Sequence, residues 1–354
     1  MMDRTMTMRL VSHAAWGAIG LLLLLSGCAR PAGVIFAPPA RPILWPAPPE
    51  RTRVRYVGQL VTEADLKPAV PFGQGFGEAI FGKKSVRSML TPYAVCTDQK
   101  DRLFVADSNA QLVHVFDLQT RKYEQWKPPA GAPPFSQPVG IAWDPAGVLF
   151  VADSVGGRIV TFDSTGKFMG EFARGLVTRP CGLAFDVKNR RLLVADAETH
   201  QLVFLTMDGA LQQRIGSRGV GLGRFNFPTN VAIDSQGRIY VADSLNFRVQ
   251  QFSPDLQTIK QIGRKGDMPG YFGQPKGLAI DSQDHLFVVD AGFETIQVFD
   301  SNGEILLNFG QEGTNPGEFW LPTGIFIDVH NRIWIADSYN RRVQVFDYLP
   351  EEGP

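Results

Sequence analysis

LPTGIFIDVHNRIWIADSYNRRVQVFD, residues 321–347, carries the two phrases that organise the whole chain. The first is Pro322, Thr323, Gly324, three apolar residues and Asp328; the second is Ile335-Ala336-Asp337-Ser338, followed by an alternating run from Arg342 to Asp347. Alternation of period two marks a strand, and the Asp, Ser and Asn clusters between the runs mark turns. The second phrase recurs with its Asp at 107, 153, 196, 243, 290 and 337, at intervals of 46, 43, 47, 47 and 47 residues. The first begins at Pro92, Pro138, Pro180, Pro228, Pro275 and Pro322, and its closing Asp lies nine residues before the next one, ten in the third copy. A further apolar run, such as 304–310, completes each unit. Four short antiparallel strands in a unit of ~45 residues make one propeller blade. The prediction is an all-β, six-bladed β-propeller with four strands per blade.

The strand count also predicts how the ring closes. Copy six ends at its third strand, and the chain stops at Pro354 without a fourth. An orphan strand at 55–60 precedes copy one and matches the fourth strands elsewhere. Pairing it with copy six would leave no open edge. The first strands carry bulky residues on one face (Ile141, Leu183, Val231, Leu278, Ile325) and small ones on the other (Gly140, Ala142, Gly182, Ala184, Gly277, Ala279). Sheets buried on both faces, with small residues receiving a neighbour's bulky ones, read this way.

With its Gly-x-x-Pro-Gly-x-Phe-x-x-Pro linker at 313–322, the repeat resembles the NHL family, and the chain over 53–349 resembles bacterial NHL-repeat six-bladed β-propeller lipoproteins. The Gly-His and Trp-Asp marks of WD40 repeats do not recur from unit to unit.

The N-terminus reads as a targeting segment. Arg4 and Arg9 precede an apolar stretch at 11–25, and Leu25-Ser26-Gly27-Cys28 resembles the lipobox of bacterial lipoproteins. That implies a signal peptide at 1–27 and a diacylglycerol on the Cys28 thiol. Ala29 follows, where Asp would retain the protein at the inner membrane, so a Gram-negative host would place it at the outer membrane. Seven prolines in 31–49 predict a polyproline tether over 28–52. At ~3.1 Å per residue it would reach ~60 Å from the lipid. The propeller then fills 53–349, and 350–354 is a tail.

Lys plus Arg and Asp plus Glu number 35 each, so no global charge or basic stripe points to nucleic acid. Cys96 and Cys181 fall in blades one and three, which are not neighbours, and are expected as buried free thiols. Both repeat aspartates occur in all six units and sit at strand ends, where a carboxylate accepts turn N–H groups; a structural role is expected. His114, His200, His285 and His330 fall at positions that cannot converge on one point, whereas zinc catalysis needs about three protein ligands. The amidating lyases, a related propeller family, hold a channel zinc with histidines, and that motif is missing. No catalytic or metal-binding residue is assigned, and no cofactor.

Candidate binding residues come from the position after each repeat Pro, expected near the axis on the face of the fourth-to-first connections: Tyr93, Val139, Cys181, Thr229, Lys276 and Thr323. Asn230, where Gly is usual, adds an amide, and Lys276 reads as a solvated rim lysine. Lactonase-like propellers hold a divalent ion with acidic and amide ligands at the axis, and no carboxylate stands among these residues. The connection 61–91 has thirty-one residues, with Phe72, Phe76, Ile80 and Phe81 at helical spacing before Lys83, Lys84 and Arg87. It predicts a short amphipathic helix, a lid or docking surface on that face. The segment 126–138, with five prolines, predicts a stiff projection beside it.

The function expected is a monomeric, lipid-anchored binding or scaffold protein of the cell envelope, presenting a propeller face to a protein or peptide partner. The alternative is a lyase- or lactonase-type propeller enzyme with a channel-mouth site, and a divalent metal belongs to that alternative alone.

Overall fold

The computed structural model describes residues 33–67, 86–257 and 259–349. Its main compact unit comprises 35–67 and 84–354. Six antiparallel sheets stand in a ring, formed by 92–126, 138–172, 180–215, 228–262, 275–309 and 322–348 with Val54–Leu60. The first strands, Pro92–Thr97, Pro138–Asp144, Pro180–Asp186, Pro228–Ile233, Pro275–Ile280 and Pro322–Ile327, each touch the first strands of both neighbouring blades. They surround the axis.

What holds the blades together is six apolar clusters, one in each gap between neighbours. The gap between blades five and six, for example, packs Phe287, Val289 and Phe309 against Ile325, Ile335 and Phe346. Small first-strand residues are a steric requirement. A methyl group on Gly324 would lie 2.5 Å from the Tyr93 carbonyl oxygen and 2.7 Å from the Ala94 Cα of blade one. Gly140, Gly182 and Gly277 meet the next blade's backbone in the same way.

The second-strand aspartates, all fully buried, tie each blade to the linker that enters it. Asp107 accepts from the Leu90 and Thr91 N–H groups, Asp153 from Ser136 and Gln137, and Asp290 from Gly273 and Gln274. First-strand aspartates such as Asp234 and Asp328 accept N–H groups of their own turn. In blades two, four and six a buried arginine is added: Arg158, Arg248 and Arg342 pair with Asp153, Asp243 and Asp337 at 3.0, 2.8 and 2.7 Å.

Val54–Leu60 runs antiparallel to Arg342–Tyr348 and closes the ring, as the strand count predicts. The proline-rich stretch before it differs from a free tether. Leu44–Trp45 adds a fifth strand to blade six, pairing with Arg55 and Val54. The Trp45 ring lies 5.8 Å from both Phe309 and Phe346, and Phe36 stands edge-on to Trp334 at 6.1 Å. Its larger apolar residues fill grooves that the outer strand would leave open.

Candidate functional site

The two ends of the ring axis differ. On the face of the fourth-to-first connections the second residues of the repeat phrases converge, though not as a solvated mouth. The Tyr93 ring of blade one lies 5.9 Å from the Lys276 ammonium of blade five and feels the Cys181 thiol of blade three, so it sits across the axis. Burial, with a smaller contribution from Cys181, pushes its phenol up to about 12. Thr323 donates to the Tyr93 carbonyl at 2.8 Å, and Thr229 to the Lys276 carbonyl at 3.2 Å. Lys276 is half-buried rather than solvated. Burial lowers its pKa, and Glu294 partly offsets that. Val139 and Thr323 are buried and offer no surface. Cys181 is half-buried beside the Ser154 hydroxyl at 3.5 Å, while Cys96 is fully buried; both are free.

Toward the other face the axis widens into a cavity of about 440 Å³, lined by the first strands of all six blades. Of the described candidate residues only Asn230 lines it. The rim is made by first-to-second turns, with Gln99, Pro145, Val187 and Val329. The third to sixth residues of the repeat phrase form this cavity, whereas the sequence directs attention to the second residue. A signal was present: the same bulky residues that fill the gaps between blades turn an inner flank to the axis.

A second feature marks the first face. Exposed apolar residues stand at its second-to-third turns: Val155, Leu245, Phe293 and Tyr339. Trp320 joins them from a linker and lies 5.5 Å from Tyr339, edge to face. Trp320 is 48% and Tyr339 54% exposed, far more than a buried aromatic pair would be. Beside Phe293 a shallower cavity of about 310 Å³ is lined by Met268, Tyr271, Asp267 and Glu312. This rim escapes sequence reading because Val155, Leu245 and Tyr339 share a turn position that holds Asn109, Glu198 and Gly292 in the other blades, and Phe293 occupies the next, which holds Ala110, Gly156, Thr199, Asn246 and Asn340.

The 61–91 connection is described at its two ends. Thr62 pairs with Ser88, and a single 3-10 turn at Glu63–Leu66 is capped by Thr62. Leu66 and Met89 are buried between blades six and one. Arg87 belongs to this stem, its N–H donating to Glu63 at 3.3 Å and its guanidinium 6.0 Å from the Tyr123 ring. Phe72, Phe76, Ile80, Phe81, Lys83 and Lys84 lie outside the described residues, as does Cys28. The 126–138 projection is pinned at its base: Phe135 packs against Phe162, and Arg158 donates to the carbonyls of Pro133 and Pro134. Within it Pro129, Ala130, Gly131, Pro133 and Pro134 are exposed.

The four described histidines are each engaged locally or exposed. His114 bonds Asp107 and Tyr123, His200 accepts from the Phe227 N–H, His285 bonds Asp281, and His330 is exposed. Among the described residues no group of three or more His, Cys, Asp or Glu is placed to hold a metal ion.

Comparison with known proteins agrees with this architecture. An NHL repeat model matches residues 225–252, and a family model described as 6-bladed beta-propeller matches 271–349. The human NHL repeat-containing protein 3 is 39% identical over 56 residues, a match that spans 16% of this chain and 16% of that protein. Among solved structures, virginiamycin B lyase from Staphylococcus aureus superposes with a TM-score of 0.53 at 15% identity, over 76% of this chain and 86% of that one. An auxiliary nutrient binding protein from Bacteroides thetaiotaomicron gives 0.58 at 13% identity, over 73% and 69%. At such identities the likeness is one of fold. The chain is a six-bladed β-propeller. The NHL repeat model matches within its fourth blade.

Proposed function

We propose that this propeller is a binding protein of the cell envelope, held to the membrane by a lipid on Cys28 and presenting the face of its fourth-to-first connections to a protein or peptide. The observation that carries this reading is the exposed rim of Val155, Leu245, Phe293, Trp320 and Tyr339 on one face. Within it Trp320 and Tyr339 form an exposed aromatic pair, and Trp and Tyr are frequent anchors of interaction surfaces. A photo-crosslinking amino acid at position 339, in intact cells, is expected to give a discrete adduct that Trp320→Ala weakens at least tenfold. The same amino acid at Val329, on the opposite face, should give none. Equal crosslinking from both faces would remove the assignment.

Lipid anchoring has its own test. Cys28→Ala is expected to abolish incorporation of labelled palmitate and to release the protein from membranes washed with high salt. A variant that still sediments with the outer membrane would refute the anchor. Catalysis at the channel mouth has one observation behind it, the half-buried Lys276 beside Tyr93. Stoichiometric divalent metal in the purified protein would move the reading toward it.

A further inference from the structure

We propose that the axial cavity is a separate binding site for an uncharged, largely apolar small molecule carrying one hydrogen-bonding group, which enters from the face of the first-to-second turns. This inference is independent of the partner surface, which lies at the other end of the ring.

The volume of about 440 Å³ lies within the ~300–1,000 Å³ range of small-molecule pockets. All six first strands contribute, and among the described residues no charged one lines the cavity. A charged occupant would lose its hydration without gaining a partner, so the ligand is neutral. Bulky side chains such as Ile141, Leu183, Leu278 and Ile325 form the wall, with Trp143 and Phe326 toward the rim. Water against such a wall is poorly held, and its displacement by an apolar group gains affinity. Val187 and Val329, both more than 60% exposed, extend the apolar surface to the entrance.

Ala94, Gly140, Asn230 and Gly324 line the inner end, and the next layer holds Tyr93 across the axis. A cavity of this volume takes a compact molecule.

Asn230 gives the ligand its polar requirement. In blades two, three, five and six the equivalent residue is Gly, because the next blade's backbone abuts it. Blade four carries an amide there, on the cavity lining, and among the described residues no side-chain hydrogen bond engages it. Donor and acceptor both remain for an occupant.

Two photoreactive probes test this on the full chain in detergent: trifluoromethyl(phenyl)diazirine and its benzyl alcohol derivative, with adducts mapped by mass spectrometry. Adducts are expected on 141–143, 183–187, 230–233 and 325–327, saturating at one per chain. Ala184→Phe, which fills the cavity, and Val329→Trp, which narrows an exposed rim and leaves the core intact, should each lower that labelling at least tenfold. Trp320→Ala, on the opposite face, should not change it. One hydrogen bond contributes ~0.5–1.5 kcal/mol, so the alcohol should label ~2- to 10-fold better than its parent, and Asn230→Leu should erase that preference. Labelling scattered over the surface, or unchanged in both Ala184→Phe and Val329→Trp, overturns the site. An alcohol preference that survives Asn230→Leu overturns the role of the amide.

Discussion

A chain lacking residues 53–60 is expected to lose most of its stability and to aggregate. Val54 and Leu60 are fully buried and Tyr56 is 6% exposed, all in the seams of blade six. Each such side chain contributes ~1.5–3 kcal/mol, so the three together approach the ~5–15 kcal/mol that holds a typical domain folded. Removal also bares the hydrogen-bonding edge of Arg342–Tyr348, a template for pairing with other chains, and deprives Leu44–Trp45 of its partner. Far-UV circular dichroism on heating, with size exclusion, reads both effects. Cooperative melting at the parent temperature as a monomer would show that the ring does not depend on this strand.

Arg342→Ala should destabilise the fold by about 3–5 kcal/mol, the usual cost of leaving a buried charge without its partner. The guanidinium donates to Asp337 at 2.7 Å, to Gln59 of the closing strand at 3.0 Å, and to the carbonyls of Thr314, Asn315 and Glu318. One side chain therefore ties the second strand, the closing strand and the linker of blade six. Burial already holds the Asp337 carboxyl above its ordinary range, against the lowering effect of the Trp320 N–H, Asn340 and Arg342. A raised acid pKa means the folded state takes up a proton more readily than the unfolded state. Its favourable contribution is present at acid pH and is lost as pH rises through the folded value. Without Arg342 the pKa rises further, so the penalty should be largest near neutrality and shrink toward acid pH. Urea unfolding at two pH values measures this, and an equal penalty at both would refute the account.

Blade number, strand order and closure were readable from sequence because the two repeat phrases stay in register through six copies, and each phrase has a local cause. Pro starts the first strand, the small residue admits the next blade, and the aspartates cap turns. Phe36, Ile43 and Trp45 were not readable as strand and packing residues. They lie among prolines, where no period can be detected, and their partners are grooves that exist only after blade six has formed. The axial cavity was not readable from sequence because its lining residues are the same ones that fill the gaps between blades. Pattern assigns a side chain to one face and is silent about a flank. Asn230 could be found, since it breaks a column of small residues, yet its direction depends on how far blades four and five stand apart.

Closure also sets an order of events. Arg55 and Asp347, which join across the seam, are 292 positions apart. At ~5–20 residues per second the closing strand waits roughly 15–60 s before its partner has been synthesised. Throughout that interval the ring is open, the last edge is unpaired, and contacts of high sequence separation make the final step slow. Such timing would suit the proposed envelope location, because a chain that cannot finish folding until its last strand exists would stay threadable through a translocation channel.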